Sequence, residues 1–405
     1  MLKCKICDHE VKEVISFGRM PVANAFLTEK DFPQEYFFEL AVGFCERCKM
    51  FQLLHQPDYS QMFHEHYAFY TSTSVEMSKH FEAMAFNYIE HWLDQKSNPF
   101  VIELGSNDGT MLQHIAKRGI RHLGIEPSRN VAEVAIERGV HTKVCFFNDK
   151  TAKTICEEHG KADLISVANV HFANMKEVAD GVALLLKQEG VFVFENPYLG
   201  NVIENVAYDQ LYDEHSYIFS LNSVSYIFEQ AGMEIFHVEP QETHGGSMRY
   251  YIGFKGKHEC RQSVREAFNK ENNVLRLGEL ETYRNFARNC QQRKQELVSL
   301  LGHLRSQGKR IVGYAATAKS TTVLNYCGIG PELIDCIYDT TPIKQNKFSP
   351  GMHIPVKAYN PEWYKNADCA VLFAWNHAKE IFAKENNFKQ SGGQWILFMP
   401  HVHCE

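Results

Sequence analysis

The amino-acid sequence predicts an α/β protein in three parts. These are a small N-terminal metal-binding module, a central doubly wound Rossmann-like domain, and a second Rossmann-like α/β domain at the C-terminus. Three observations carry this. Two C-x-x-C pairs, Cys4/Cys7 and Cys45/Cys48, lie close to the N-terminus. A short apolar run, Phe100 to Leu104, empties into a glycine-bearing turn and opens a series of alternating apolar runs and amphipathic stretches. After a charged helical stretch, Arg310 to Tyr314 enters a second small-residue turn and the alternation resumes. The parts are residues 1–60, 61–258 and 259–405.

The first part reads as strand-rich, punctuated by Pro21, Pro33 and Pro57. Its two C-x-x-C turns each present two sulfurs, and two such turns close a tetrahedron around Zn²⁺. Cys4, Cys7, Cys45 and Cys48 are the expected ligands. Four thiolates fill the coordination shell, so the site is structural. Residues 8–44 must fold as an excursion of their own. The other eight cysteines are expected as buried thiols, with Cys156 and Cys290 partly exposed.

A lead-in helix is expected from Val75 to Leu93. Buried parallel strands follow at Phe100–Leu104, His122–Glu126, Lys143–Phe146, Ala162–Ala168 and Gly190–Glu195. Met248–Phe254 reads as a later antiparallel strand. Residues 260–308 carry a helical period with dense charge, one or two helices tying the domains together. Strands are expected again at Arg310–Tyr314, Leu333–Asp339, Cys369–Phe373 and Trp395–Phe398.

The turn Glu103-Leu104-Gly105-Ser106-Asn107-Asp108-Gly109 leaves a strand and opens a helix, the position of a cofactor loop. Its G-x-x-x-G spacing lacks the middle glycine of a dinucleotide fingerprint. Glu126 ends the next strand, where an acid accepts ribose hydroxyls, and Phe147, Asn148 and Asp149 follow the third. That ordered series points to S-adenosylmethionine. Asn169 and His171 follow the fourth strand and face the same crevice. Tyr212, Glu214 and His215 lie within four residues, and a histidine beside a carboxylate is a ready general base. Ala315 to Lys319 opens a helix whose N–H groups can receive a diphosphate, with Lys319 as a point charge.

The 405-residue chain resembles the sugar C-methyltransferases, in particular those acting at C-3 of nucleotide-linked 4-keto-deoxysugars. The resemblance spans the chain. It rests on the four cysteines, the E-L-G-S-N-D-G loop, Tyr212-Asp213-Glu214-His215, Thr243 to Arg249, and Gly313 to Lys319. It implies His215 as the base, with Tyr212, Glu214, Tyr67 and His171 in supporting roles. It implies Glu103, Gly105, Asn107, Asp108, Gly109, Glu126, Phe147, Asn148 and Asn169 at S-adenosylmethionine. It places the nucleotide sugar near Tyr198, Lys319, Asp339, Lys344 and Gln345. Asn346 stands where the family pattern has glycine.

The formal charge of −7 gives no basic footprint for nucleic acid. No run approaches the ~20 apolar residues of a membrane span, and no apolar leader precedes Cys4. A cytoplasmic enzyme is expected, with S-adenosylmethionine and structural zinc as cofactors, a nucleotide-diphosphate keto-sugar as partner, and neither nucleic acid nor membrane. Oligomeric state stays open, monomer included. Two other readings stand beside this one: an O- or N-methyltransferase with another acceptor such as RNA, and a non-catalytic nucleotide-sugar-binding protein.

Overall fold

The structure is a computed structural model describing residues 2–57, 70–169, 172 and 174–405. Its strands form three sheets. The first contains β1 (Lys12–Pro21), β2 (Phe37–Phe44), β3 (Phe51–Leu53) and β9 (Tyr217–Ile218), all antiparallel. The long β1–β2 hairpin is the excursion between the cysteine pairs. β9 comes from far along the chain, and Phe51 pairs with Ile218.

The second sheet has seven strands. β4 (Phe100–Leu104), β5 (Arg121–Ile125), β6 (Thr142–Lys143), β7 (Ala162–Ala168) and β8 (Leu186–Pro197) run parallel in the order β6-β5-β4-β7-β8. β11 (Ser247–Phe254) lies antiparallel beside β8, and β10 (Met233–Gln241) forms the edge. β4 and β7 lie side by side although two strands separate them in sequence. The crevice at their carboxyl ends is therefore the topological switch point, where open α/β sheets bind ligands.

The third sheet runs β14 (Lys347–Phe348), β15 (Pro355–Ala358), β13 (Ile337–Asp339), β12 (Ile311–Tyr314), β16 (Cys369–Leu372), β17 (Gln394–Leu397), β18 (His403–Cys404). Its five inner strands are parallel and the two edges antiparallel. The lead-in helix is Val75–Tyr88, continued by a wider turn through Leu93; its Ser74 cap accepts from Met77 N. The connector is one short helix, Gln262–Asn269, and one long helix, Leu280–Ser306.

Where expectation and structure differ, the cause is local. The third strand is two residues long, Thr142–Lys143, because it pairs with only one neighbour at the sheet edge. Leu333 and Ile334 turn back to the Gly330 carbonyl, so that strand begins only at Ile337. Cys290 is fully buried, on the same face of the long helix as Tyr283, Phe286 and Leu297. Cys260 and Cys404 are exposed.

That helix packs between the first and third sheets. Tyr283 stacks on Phe44 at 4.1 Å between ring centroids, and one apolar cluster joins Phe17, Phe44 and Phe51 to Leu301, Val323 and Ile337. Polar clamps fix the same junction. The side chain of Glu35, itself nearly inaccessible to solvent, accepts from Gly351 N at 2.7 Å and pairs with His353 at 2.7 Å. Thr321 Oγ1 donates to the Ala23 carbonyl at 2.8 Å. No described helix is long and apolar enough to cross a membrane.

Candidate active site

The four cysteine sulfurs lie within 4.8 Å of one another. Cys4 and Cys48 are 3.4 Å apart and Cys7 and Cys45 3.5 Å. Zn–S bonds of about 2.3 Å put tetrahedral sulfurs roughly 3.8 Å apart, so the donor set fits zinc. Gln52 Nε2 donates to Cys4 Sγ at 3.1 Å, as does Ile6 N at 3.4 Å. Both stabilise a thiolate.

At the switch point, Gly105 (φ +68°), Asn107 (φ +47°) and Gly109 (φ +76°) wind the loop tightly. Glu126 holds it: its two oxygens accept from Asn107 N at 3.0 Å and Ser128 N at 2.8 Å. The Ser128 side chain bonds to the same carboxylate, so Glu126 holds both the loop and the turn after β5. Asp108 is fully buried and turns inward, accepting from Ser72 N and Thr110 Oγ1 and pairing with Arg138 at 3.3 Å. Asn107 Oδ1 accepts from Thr71 N at 3.0 Å. These two residues thus tie the loop to the segment before the lead-in helix. Asn148 caps the helix Asp149–His159 through Thr151 N, and Phe147 lies against Gly181.

Ser106 Oγ in the loop is buried without a hydrogen-bond partner among the described residues, and two longer side chains beside it also have polar atoms to spare. Among the described residues, Glu103 Oε2 and both amide atoms of Asn169 are buried with no hydrogen-bond partner. Native interiors pair nearly all such atoms, so these fit a ligand bearing amine and hydroxyl groups. Burial, with Asp108 and Glu126 nearby, pushes the Glu103 carboxyl well up.

The second cluster lies past the end of β8. His215 Nδ1 is 2.6 Å from the Gln210 carbonyl, and Nε2 is 2.9 Å from the Tyr212 hydroxyl. A carbonyl only accepts, so Nδ1 carries the hydrogen and Nε2 keeps the lone pair. His215 and Glu214 line a cleft of about 280 Å³, including the solvent at its mouth, with Phe172, Asn196 and Phe219. Glu214 was expected as the partner of the imidazole. Its Oε1 accepts instead from Asn24 Nδ2 at 2.9 Å, and the neighbouring Asp213 accepts from Ala23 N. The ring takes its orientation from a backbone carbonyl, and the carboxylates dock the N-terminal sheet. Sequence reasoning missed Asn24 and Gln210. Burial, then Glu214, pushes Asp213 up to about 8.

The third sheet adds cations to the same region. Lys319 is buried, donates to Asn376 Oδ1 at 2.9 Å and lies 5.5 Å from the Trp375 ring centre. Trp375 Nε1 donates to Asp209 at 2.6 Å, which joins this sheet to the His215 segment. Burial lowers the Lys319 ammonium, and Asp209 opposes the shift. Asp339 accepts from Ala316 N and Thr341 N, both at 2.7 Å, so it shapes the loop before Lys319. Lys344 donates to the Ala316 carbonyl and Gln345 to the Asp339 carbonyl. Asn346 takes φ +60°, a conformation asparagine tolerates, which is why it can stand in for glycine.

Tyr198, expected at the substrate, is 3% exposed, with the Glu271 carboxylate beside its phenol. It packs behind the site as part of the apolar core. Tyr67 and His171 lie outside the described residues.

Family models match along the chain: a zinc binding domain at residues 4–63, a methyltransferase domain at 77–238, and a C-methyltransferase C-terminal domain at 242–400. The C-methyltransferase NovU of Streptomyces niveus is 33% identical over 98% of this chain and 95% of its own length. Among solved structures, an S-adenosylmethionine-dependent methyltransferase of Anabaena variabilis is 15% identical, covering 43% of this chain and 84% of its own, with TM-score 0.36. The magnesium protoporphyrin IX methyltransferase of Synechocystis is 13% identical over 45% of this chain and 84% of its own, with TM-score 0.35.

Proposed function

The chain belongs to the C-methyltransferase family that includes NovU, and on that premise we propose that its acceptor is a nucleotide-linked 4-keto-deoxysugar, methylated at C-3. The protein is an S-adenosylmethionine-dependent C-methyltransferase with a zinc-binding domain. The acceptor and the roles of individual residues are the proposal.

The observation that carries it is the fixed tautomer of His215. A carbon becomes a nucleophile only after losing a proton, and a ketone acidifies the hydrogen on the adjacent carbon. Nε2 of His215, on the cleft wall, is the base that takes it. The C–H electron pair becomes a C=C bond and the carbonyl π pair moves onto oxygen. The Tyr212 hydroxyl, which donates to that single lone pair in the resting enzyme, must give up the contact as the acceptor's C–H takes its place. Bound S-adenosylmethionine supplies an electrophilic methyl group on a positively charged sulfur. Glu103, Glu126 and Asn169 hold that cofactor at the switch point, within the same domain as the base. Lys319 meets the diphosphate of the acceptor, supported by Asp339, Lys344 and Gln345, which build the loop beneath it.

Incubation with labelled S-adenosylmethionine and a panel of nucleotide-linked 4-keto sugars tests this directly. Label in the sugar carbon skeleton is the expected result. No transfer to any of them removes the proposed acceptor class.

Two smaller predictions arise here. Lys319→Ala should raise the KM for the nucleotide sugar by roughly 10–100-fold, the worth of a charge-assisted hydrogen bond of about 1.5–3 kcal/mol, with cofactor affinity unchanged. A KM that stays put would take Lys319 out of the diphosphate site. Asn169→Gly should weaken S-adenosylmethionine binding by about ten-fold in calorimetry. Its melting temperature should not fall, because the amide makes no hydrogen bond among the described residues and its φ of +53° suits glycine. Unchanged cofactor affinity would show that this amide is not a ligand.

A further inference from the structure

The Thr243–Arg249 run has so far been given no chemistry, yet three observations meet at His244. Its Nε2 is buried and has no hydrogen-bond partner among the described residues, although the residue as a whole is half-buried. Its backbone stands at φ +56°, where glycine would cost less than any residue with a side chain. One residue also ties it to the base. The Gln210 carbonyl orients the His215 ring, and the Gln210 side-chain amide donates to the His244 carbonyl. Gln210 Oε1 is itself buried and unpartnered among the described residues.

The surroundings narrow what this imidazole can do. The next residue, Gly245, lies so close to Trp375 that a Cβ there would stand 2.4 Å from the ring. Trp375 is the residue under the Lys319 ammonium. Burial, with Lys319, His215 and His377 nearby, keeps His244 uncharged, against a weaker opposing pull from Glu195. An uncharged imidazole can carry a hydrogen on Nε2 and donate it. A neutral donor close to a cation suits an oxygen that becomes negative during reaction better than one already paired with positive charge.

We propose that His244 is a further catalytic residue, donating its Nε2 hydrogen to the ketone oxygen of the acceptor as His215 removes the neighbouring proton. The oxygen gains the carbonyl π electrons while the proton goes to His215, and the donor steadies that charge. This deepens the proposed function and rests on it.

Enolisation can be watched without methyl transfer, as exchange of the acceptor's α-hydrogen for deuterium in D₂O with cofactor omitted. The probe is the 4-keto sugar nucleotide that the wild type methylates or, failing one, each member of the panel. Wild type should exchange. His244→Phe should slow exchange by about 10²–10³-fold with little change in KM, the loss expected for one oxyanion donor. His244→Gln, which retains a donor, should recover part of the rate. Wild-type exchange by the Phe variant overturns the inference. So does a rise in KM alone, which would mark a ground-state contact to the diphosphate. So does an equal loss in both variants together with a lowered melting temperature, which would mark a structural role. If the wild type itself exchanges no α-hydrogen, the enolate reading falls and the role of His244 with it, and the wild-type arm alone identifies that case.

Discussion

His215→Asn is expected to lower methyl transfer by about 10²–10⁴-fold, the usual worth of a positioned general base, while S-adenosylmethionine binding is retained. The argument is geometric. Asparagine keeps an amide hydrogen for the Gln210 carbonyl, so the segment from Tyr208 to Ser216 need not rearrange. It has no nitrogen lone pair to replace Nε2. The residues proposed to hold the cofactor, Glu103, Glu126 and Asn169, stand at the ends of β4, β5 and β7, away from the imidazole in sequence. Single-turnover transfer from labelled cofactor, with calorimetric binding of the cofactor alone, separates the two properties. Full activity would remove His215 as the base. Loss of cofactor binding as well would mean that the substitution had damaged the fold.

The parts of this site that are close in sequence were legible in it. β4 is a short run, apolar but for Glu103, that empties into a glycine-bearing turn, and all of its residues are buried. His215 and Tyr212 are three residues apart and bond to each other within one short segment. Glu126 was expected at the end of β5; it follows that strand directly, and there its carboxylate holds Asn107 and Ser128.

What sequence could not show was contact across long separations. Asn24 reaches Glu214 from 190 residues away, and Trp375 reaches Asp209 across 166. Neither pair has a spacing to recognise, because each exists only once the sheets dock. β10 was missed for a different reason. Glu234, His237, Glu239 and Pro240 interrupt its apolar pattern, as an edge strand with one side to solvent allows. Cys290 was expected to be partly exposed because Gln291, Gln292 and Arg293 follow it. Helical geometry places it instead one turn beyond Phe286, on the buried face. The same limit applied to Tyr198. It follows β8 at the mouth of the sheet, yet the polar group beside it, Glu271, belongs to the connector 73 residues later.

Loss of the metal should do the widest damage. Cys45→Ser is expected to abolish zinc binding, lower the melting temperature and remove activity. Structural zinc contributes on the order of 10–16 kcal/mol to such modules. That is as large as the net stability of a typical domain, about 5–15 kcal/mol. The consequence does not stop at the module. Cys4, Cys45 and Cys48 are almost wholly buried and belong to the apolar cluster that includes Phe194, Tyr217 and Phe219 of the central domain. β3 carries β9 at the edge of the first sheet, directly after Ser216, and Ala23 and Asn24 dock on Asp213 and Glu214. A loosened module therefore frees the segment that holds His215, even though that residue lies nowhere near the metal in sequence. Metal analysis should find one zinc per chain in the wild type. Chelation should expose Cys4 and Cys45 to thiol probes as activity disappears. Wild-type protein that contains no metal, reacts with those probes at once and still turns over would refute a zinc-held module and the route from it to the base.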